Sequence, residues 1–308
     1  MQGEVMKKLV LTLVIILSAA MVFAGTPKKK AKAKGPKQGK FTLERYEHSM
    51  FTKEIEQKQR QMARLRGQMI IKLKKLLNSP YYRNKAEISF RLAEAYWQDA
   101  KWKNMQAMKA YNKAMSAYQA GTLKKPPVEP KEDYSMALEY YRKVLRYDPN
   151  YYRIAEVMFY LGRGALQEAK AKKDPALRKE GVKQLKNLVQ RFPKSRFVSR
   201  AYLALAETYF NHSQFYFAKA NYEKIIQNYP HSPMFNYALY KLGWVYFNLA
   251  MYDKTIETFQ KVVEAVSKQK SKIEFRTQAL NDLVVTYAEV EHGWDRAHAM
   301  KFITTIAV

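Results

Sequence analysis

The side chains best suited to acid–base or metal chemistry in this sequence are its histidines, which are His48, His212, His231, His292 and His298. His292 and His298 are six residues apart, whereas two metal ligands on one helical face are typically four apart. The sequence has no cysteine, which excludes thiolate nucleophiles, thiolate metal sites and disulfides. It also has no phosphate-binding loop, nucleophile elbow or dinucleotide-binding fingerprint. We therefore predict a protein that is not an enzyme and takes no metal, cofactor or small-molecule substrate.

The composition suits a folded, strongly basic protein. The 308 residues are 47% hydrophobic, which is enough apolar material for a sizeable core and excludes disorder throughout. The net charge of +28 suits an anionic partner. Nucleic acid is one such partner, but the export signal described next argues against it. Anionic envelope polymers and acidic protein surfaces fit an exported protein better.

The first residues have the pattern of an export signal. Lys7 and Lys8 precede an apolar run from Leu9 to Ala24, and Val22-Phe23-Ala24 before Gly25 resembles a signal peptidase site. This pattern predicts a signal peptide over residues 1–24, cleavage after Ala24 and a periplasmic protein. The alternative is an uncleaved membrane anchor, although the 16-residue run is slightly short of the roughly 17 to 25 residues that span a bilayer. A lipoprotein is excluded because its lipid attaches to cysteine.

Residues 25–40 form a lysine-rich segment without acidic residues. Its seven lysines are Lys28, Lys29, Lys30, Lys32, Lys34, Lys37 and Lys40. Such a segment cannot bury a core, so we expect a solvated, disordered linker. The alternative function is an electrostatic tether to an anionic cell-wall or membrane surface.

The segment 41–80 has the spacing of one long amphipathic helix that ends before Pro80. Its apolar residues recur mostly at steps of three or four: Leu43, Tyr46, Met50, Ile55, Met62, Leu65, Met69, Leu73 and Leu76. We expect this stripe to pack against the helices that follow.

Prolines recur at long, regular intervals in the rest of the chain. Pro193 and Pro230 are 37 residues apart and lie in similar contexts, Phe-Pro-Lys-Ser and Tyr-Pro-His-Ser. Pro149 precedes Pro193 by 44 residues, and the extra length matches an insert near 171–178. A period of this size predicts stacked helical units.

Between the prolines, the sequence resembles the tetratricopeptide repeat. Small residues such as Gly162, Gly243, Ala206 and Ala218 are spaced so that two helices can approach closely. The clearest copies carry Leu205-Ala206, Tyr209, Ala218 and Tyr222, then Leu242-Gly243, Tyr246, Thr255 and Phe259, and an earlier copy carries Leu161-Gly162, Ala165, Gly181 and Leu185. The resemblance implies an all-α solenoid of antiparallel helix pairs over residues 81–308, with inserts near 101–132 and 171–178.

In this family the first helix of each pair lines a concave groove, so the resemblance also implies which residues face a partner. They are Phe90, Glu94, Trp97, Phe159, Arg163, Glu207, Phe210, Asn211, Tyr237, Tyr240, Trp244, Phe247 and Asn248. Tyrosine and tryptophan are frequent binding anchors, and a groove centred on Tyr240, Trp244 and Phe247 suits an extended or helical peptide. The alternative is that inserts or a neighbouring helix cover these side chains.

The predicted function is a protein–protein interaction scaffold in a bacterial envelope assembly. Breaks such as Phe192-Pro193-Lys194-Ser195 are similar to those of exported repeat proteins in outer-membrane assembly and cell-division coordination. The segment 278–284 is similar to periplasmic repeat proteins of gliding-motility machinery. We therefore expect envelope proteins as partners. The alternative is a module that binds cell wall through the lysine-rich segment.

Overall fold

The computed structural model describes residues 43–267 and 273–289, which form ten helices and contain no strand. The helices are α1 (Leu43–Asn78), α2 (Lys85–Gln119), α3 (Ser135–Tyr147), α4 (Ile154–Lys172), α5 (Pro175–Arg191), α6 (Val198–Phe210), α7 (Phe215–Asn228), α8 (Phe235–Asn248), α9 (Tyr252–Ser267) and α10 (Ile273–Glu289). Residues 55–283 form one compact unit. The described residues outside it, 43–54 and 284–289, belong to a second unit.

Helices α2 to α9 pack as four consecutive pairs, α2 with α3, α4 with α5, α6 with α7 and α8 with α9. Each second helix from α3 to α7 also packs on the first helix of the next pair, so the pairs stack in chain order. This arrangement confirms the all-α solenoid that the repeat spacing predicts. Helix α10 then begins a fifth unit, whose predicted second half lies outside the described residues.

The proline-containing breaks have the same geometry in successive units. Pro193 and Pro230 lie in turns between one pair and the next. The Ser195 amide donates to the Phe192 carbonyl at 2.9 Å, and the Ser232 amide donates to the Tyr229 carbonyl at the same distance. Each serine hydroxyl also accepts a hydrogen bond from the amide two residues on, at 3.3 Å for Ser195 and 3.2 Å for Ser232. The aromatic-Pro-x-Ser sequence therefore sets the turn and orients the start of the next helix.

Close helix contact in two of the pairs depends on glycine, in line with the predicted role of small residues. Gly162 of α4 faces Gly181 of α5, and a Cβ added to Gly181 would lie 2.8 Å from the Gly162 carbonyl oxygen. In the last complete pair, a Cβ on Gly243 would lie 2.6 Å from the Phe259 ring. Larger residues at these positions would force the two helices apart.

The two predicted inserts are mostly extra helix. Helix α2 continues to Gln119, so the region 101–132 consists of a helical extension followed by a loop that begins after residue 119. Helix α4 continues to Lys172, and Asp174 then caps α5 by accepting hydrogen bonds from the amides of Ala176 and Leu177. The proline at the first position of α5 favours this start because it needs no backbone donor there.

The expectation that the apolar stripe of α1 packs against the following helices holds only near the end of the helix. Leu73 is buried, but the side chains on the same stripe toward the start of the helix are largely exposed: Ile55, Met62, Leu65 and Met69, and Leu76 is exposed as well. The reason is that only the last turns of α1 reach the core, where Ile70 and Leu77 join Leu73.

Several sequence predictions fall outside the described residues. These are the signal peptide over 1–24 and the lysine-rich segment over 25–40. Within the described part of the chain, every helix is too short or too polar to cross a bilayer.

Candidate partner-binding surface

Side chains of successive first helices contact one another along the array. Arg153, which immediately precedes α4, pairs with Glu94 of α2 at 3.2 Å between its Nη2 and the carboxylate. Further along, the Tyr237 hydroxyl of α8 donates to Glu207 Oε1 of α6 at 2.8 Å. The first helices therefore form a linked row, and we call the part built from α6, α8 and α10 the first-helix wall.

Three predicted groove residues, Phe90, Trp97 and Phe159, lie in the core, with exposures of 3% or less. Trp97 stacks on Tyr134 with ring centroids 4.0 Å apart, and Phe159 stacks on Phe197 at 5.0 Å. Phe90 packs against Tyr141 and Tyr151, with ring centroids 6.1 and 5.6 Å away. None of the three is accessible to a partner, which agrees with the alternative that neighbouring segments cover these side chains. The predicted groove does not extend over them.

The predicted residues on α6 and α8 are more accessible. Tyr237 is 38% exposed and Phe210 is partly buried. The Lys241 ammonium lies 3.9 Å from the centroid of the Phe210 ring, a cation–π contact. Burial lowers the pKa of Lys241, and the nearby Glu207 carboxylate partly opposes this effect. This part of the wall thus places the Lys241 cation and the Glu207 anion beside aromatic rings.

Tyr240 and Trp244 are held by a buried carboxylate on α10. The Tyr240 hydroxyl donates to Asp282 Oδ2 at 2.6 Å, and the Trp244 indole N–H donates to the same oxygen at 3.1 Å. Gln278 Nε2 donates to the other oxygen at 2.9 Å, and Asp282 itself is only 6% exposed. Both rings also lie 5.9 Å from the Phe259 ring. These contacts fix two predicted anchor residues in one orientation.

The remaining predicted residues lie near the ends of α6 and α8 or on the exposed side of α4. Phe247 packs edge-to-face on Trp244 at 5.4 Å, and Asn248 Nδ2 donates to the Trp244 carbonyl at 2.7 Å. Arg163 is exposed on α4. Asn211 is exposed at the end of α6, where it helps line a pocket of about 420 Å³. The pocket's other polar lining is mainly basic, so it is separate in chemistry from the aromatic wall.

Lys241 and Asp282 are the wall residues that the sequence prediction missed. Lys241 directly precedes Leu242-Gly243, and Asp282 directly precedes Leu283-Val284, which occupies the same position in the next repeat. A charged residue directly before this leucine is the sequence feature that could have identified both residues. The aromatic pattern identifies only the rings next to them.

The environment of Tyr240 predicts an alkaline loss of stability. Burial, with the hydrogen bond to Asp282, raises the pKa of Tyr240 to about 12 from its ordinary value of 10.0. Because the folded protein favours the neutral phenol, this contribution is present below pH 10 and is lost between pH 10 and 12. We expect Tyr240→Phe to be less sensitive to pH in this window, as measured by urea unfolding at several pH values. An identical pH dependence in the variant and the wild type would contradict this assignment.

The described residues contain no group of three histidines, cysteines, aspartates or glutamates placed to hold a metal ion. His212 and His231 are exposed, and Nδ1 of His212 lies 2.7 Å from the Thr208 carbonyl oxygen. His292 and His298 lie outside the described residues, and the side chain of His48 is also undescribed.

Comparisons with known proteins agree with this architecture. A tetratricopeptide-repeat family model matches residues 163–300, and a second one matches residues 129–151. This chain is a tetratricopeptide-repeat protein. Such arrays generally mediate protein–protein interactions through extended surfaces.

Two solved structures with similar folds give the extent of the likeness. A crystal structure of MamA is 22% identical over 62% of this chain and 91% of that chain, with a TM-score of 0.41. A putative kinesin light chain from Podosopora anserina, with nearly identical TPR-like repeats, is 14% identical over 66% of this chain and 94% of that chain, with a TM-score of 0.42. No curated protein matches the sequence.

Proposed function

We propose that this protein is a non-enzymatic scaffold whose first-helix wall binds a partner protein in a bacterial envelope assembly. The observation that supports this most directly is the pair of anchors, Tyr240 and Trp244, that one buried carboxylate on α10 holds in place. Aromatic side chains that are already ordered lose less conformational entropy when a partner binds. Tyrosine and tryptophan are also the residues that most often dominate binding energies.

The wall suits a peptide segment that is apolar with a few polar groups. Phe210, Tyr237 and Phe247 offer partly accessible ring surface beside the two anchors. Lys241 and Glu207 add one charge of each sign, which can fix the orientation of a bound segment. An extended strand would place alternate side chains against these rings, and a helix would place every third or fourth one.

The envelope location is part of the same proposal and rests on the sequence pattern over residues 1–24. N-terminal sequencing of the protein purified from its native cells is expected to begin at Gly25. A start at Met1 or Met6 would contradict cleavage. The alternative function, binding of anionic cell wall or membrane by Lys28 to Lys40, predicts salt-sensitive association that is lost when this segment is deleted.

Substitutions in the first-helix wall are expected to weaken binding of the partner protein. Tyr237→Ala and Phe247→Ala each delete accessible ring surface, so a protein that co-purifies with the wild type should be strongly reduced. Quantitative mass spectrometry of native co-purifications measures this loss. Tyr216→Ala is the matched control because Tyr216 is 75% exposed on α7, a second helix.

The co-purification results distinguish binding at the wall from binding by the lysine-rich segment. Equal recovery of the partner with wild type, wall variants and Tyr216→Ala would contradict binding at the wall. Recovery of glycan alone, dependent on residues 28–40, would support the cell-wall alternative.

A further inference from the structure

Parts of α1 and α2 form a two-helix arm, consisting of residues 55–71 and 98–119. Lys109 Nζ of α2 lies 2.6 Å from Glu56 Oε1 of α1, and Arg66 Nη1 donates to the Gln98 carbonyl at 3.3 Å. Residues later in α1 therefore contact residues earlier in α2, so the two helices are antiparallel. The arm includes the extension of α2 beyond its repeat unit, so its surface is distinct from the first-helix wall.

A cleft of about 440 Å³ runs between the two helices of the arm. Its apolar lining consists of Ile55 and Met62 from α1 and Trp102 and Met105 from α2. Met62 is 61% exposed and Ile55 is 39% exposed, although both belong to the stripe whose Leu73 enters the core. The flexible, polarisable thioethers of methionine adapt well to side chains that enter from a partner.

The exposed stripe continues along α1 beyond the cleft. Leu65 is 52% exposed and Met69 is 44% exposed, and they follow Met62 at steps of three and four. These steps place the three side chains on one face of the helix. A third helix laid along the arm would cover this face and insert side chains into the cleft, as in ridges-into-grooves packing.

The net positive charge of the arm favours a partner helix with acidic side chains. Residues 55–71 and 98–119 contain eight basic residues and two acidic ones. Both acids already have basic partners: Glu56 pairs with Lys109 at 2.6 Å, and Asp99 pairs with Lys103 at 2.9 Å. Lys58, Arg66 and Lys101 border the cleft itself. The rim therefore complements acidic side chains.

We propose that the arm is a docking site for an acidic amphipathic helix of a partner protein. Leucine or methionine side chains of that helix would fill the cleft, and flanking glutamates or aspartates would pair with the basic rim. A second copy of this chain fits poorly because two arms of the same positive charge repel. The lysine-rich segment 25–40 is excluded as occupant for the same reason.

Binding of a designed peptide tests this site on the full chain. The probe is a fluorescently labelled helix of about 20 residues, with leucine at helical spacing and glutamate elsewhere. We expect fluorescence anisotropy to show saturable binding that weakens with salt and is absent for a shuffled peptide of the same composition. Met62→Ser and Lys101→Glu should each weaken binding by about fivefold or more. Ile71→Ser is the matched control, since Ile71 is 59% exposed on α1 but does not line the cleft.

Each other outcome overturns the proposal. Absence of binding, equal binding of the shuffled peptide, or equal weakening by Ile71→Ser would exclude a patterned site in the cleft. Binding to phosphatidylglycerol vesicles, but not to the peptide, that is lost in Met62→Ser would assign the face to a membrane. Self-association in sedimentation velocity that the same substitution abolishes would assign it to a second copy. Ile55→Ser serves as the second cleft variant if circular dichroism shows that Met62→Ser misfolds.

Discussion

Gly181→Ala is expected to lower the free energy of unfolding by about 1 to 3 kcal/mol, the usual range for an overpacked core. The added Cβ would lie 2.7 Å from Leu166 Cγ and 2.8 Å from the Gly162 carbonyl oxygen. A side chain can shift, but the carbonyl belongs to the backbone of α4, so the helices themselves must separate. Alanine's higher helix propensity, worth up to about 1 kcal/mol, offsets only part of this cost. Urea unfolding followed by circular dichroism measures the difference.

Gly67→Ala is the matched control for this prediction. Gly67 also lies within a helix, α1, but a Cβ there meets no atom within 4 Å. It should leave stability unchanged or raise it slightly, because only the propensity gain remains. Equal changes in stability from both substitutions would contradict this prediction. They would show that the close contact between α4 and α5 is not the reason for a glycine at position 181.

Asp282→Ala is expected to destabilise the end of the array by about 1.5 to 3 kcal/mol, the typical value for hydrogen bonds to a charged group. It removes the common acceptor of Tyr240 and Trp244 and the partner of Gln278. Hydrogen exchange should therefore increase in α8 and α10 more than in α4 and α5. Urea unfolding gives the matching change in free energy.

Two further variants separate this network from a general effect of substitution. Asp282→Asn retains one acceptor oxygen and should be milder than Asp282→Ala. In a double-mutant cycle, Tyr240→Phe should have less effect in the Asp282→Ala background than in the wild type. Fully additive losses would show that the Tyr240 hydroxyl does not depend on Asp282.

Much of the repeat fold could be predicted because its determinants are local and periodic. The small residues Gly162 and Gly243 lie where two helices are in contact, and the sequence around Pro193 marks the end of one repeat unit. The buried positions of Tyr222 and Phe259 follow from the same register. Each of these residues acts on neighbours within its own unit or the next, so the spacing alone specifies them.

The surface was harder to predict because exposure depends on residues distant in sequence. Trp97 occupies a first-helix position, yet Tyr134, beyond a long insert, stacks on it and covers it. The stripe of α1 has a continuous pattern, but only Leu73 and its neighbours reach the core. The role of Asp282 requires knowing that α10 brings its carboxylate to two rings of α8. Periodicity identifies a helical face but not what lies against it.

Site-specific photo-crosslinking at position 237 in the native cells tests most directly whether the first-helix wall binds a partner. Tyr237 is accessible and donates to Glu207, and Lys241, one turn further along α8, contacts Phe210. An aromatic photo-reactive residue at position 237 should therefore capture one specific envelope protein. The same residue at position 216, on a second helix, should not capture it. Crosslinks from position 216 to that protein with no crosslink from position 237 would contradict the proposed binding surface.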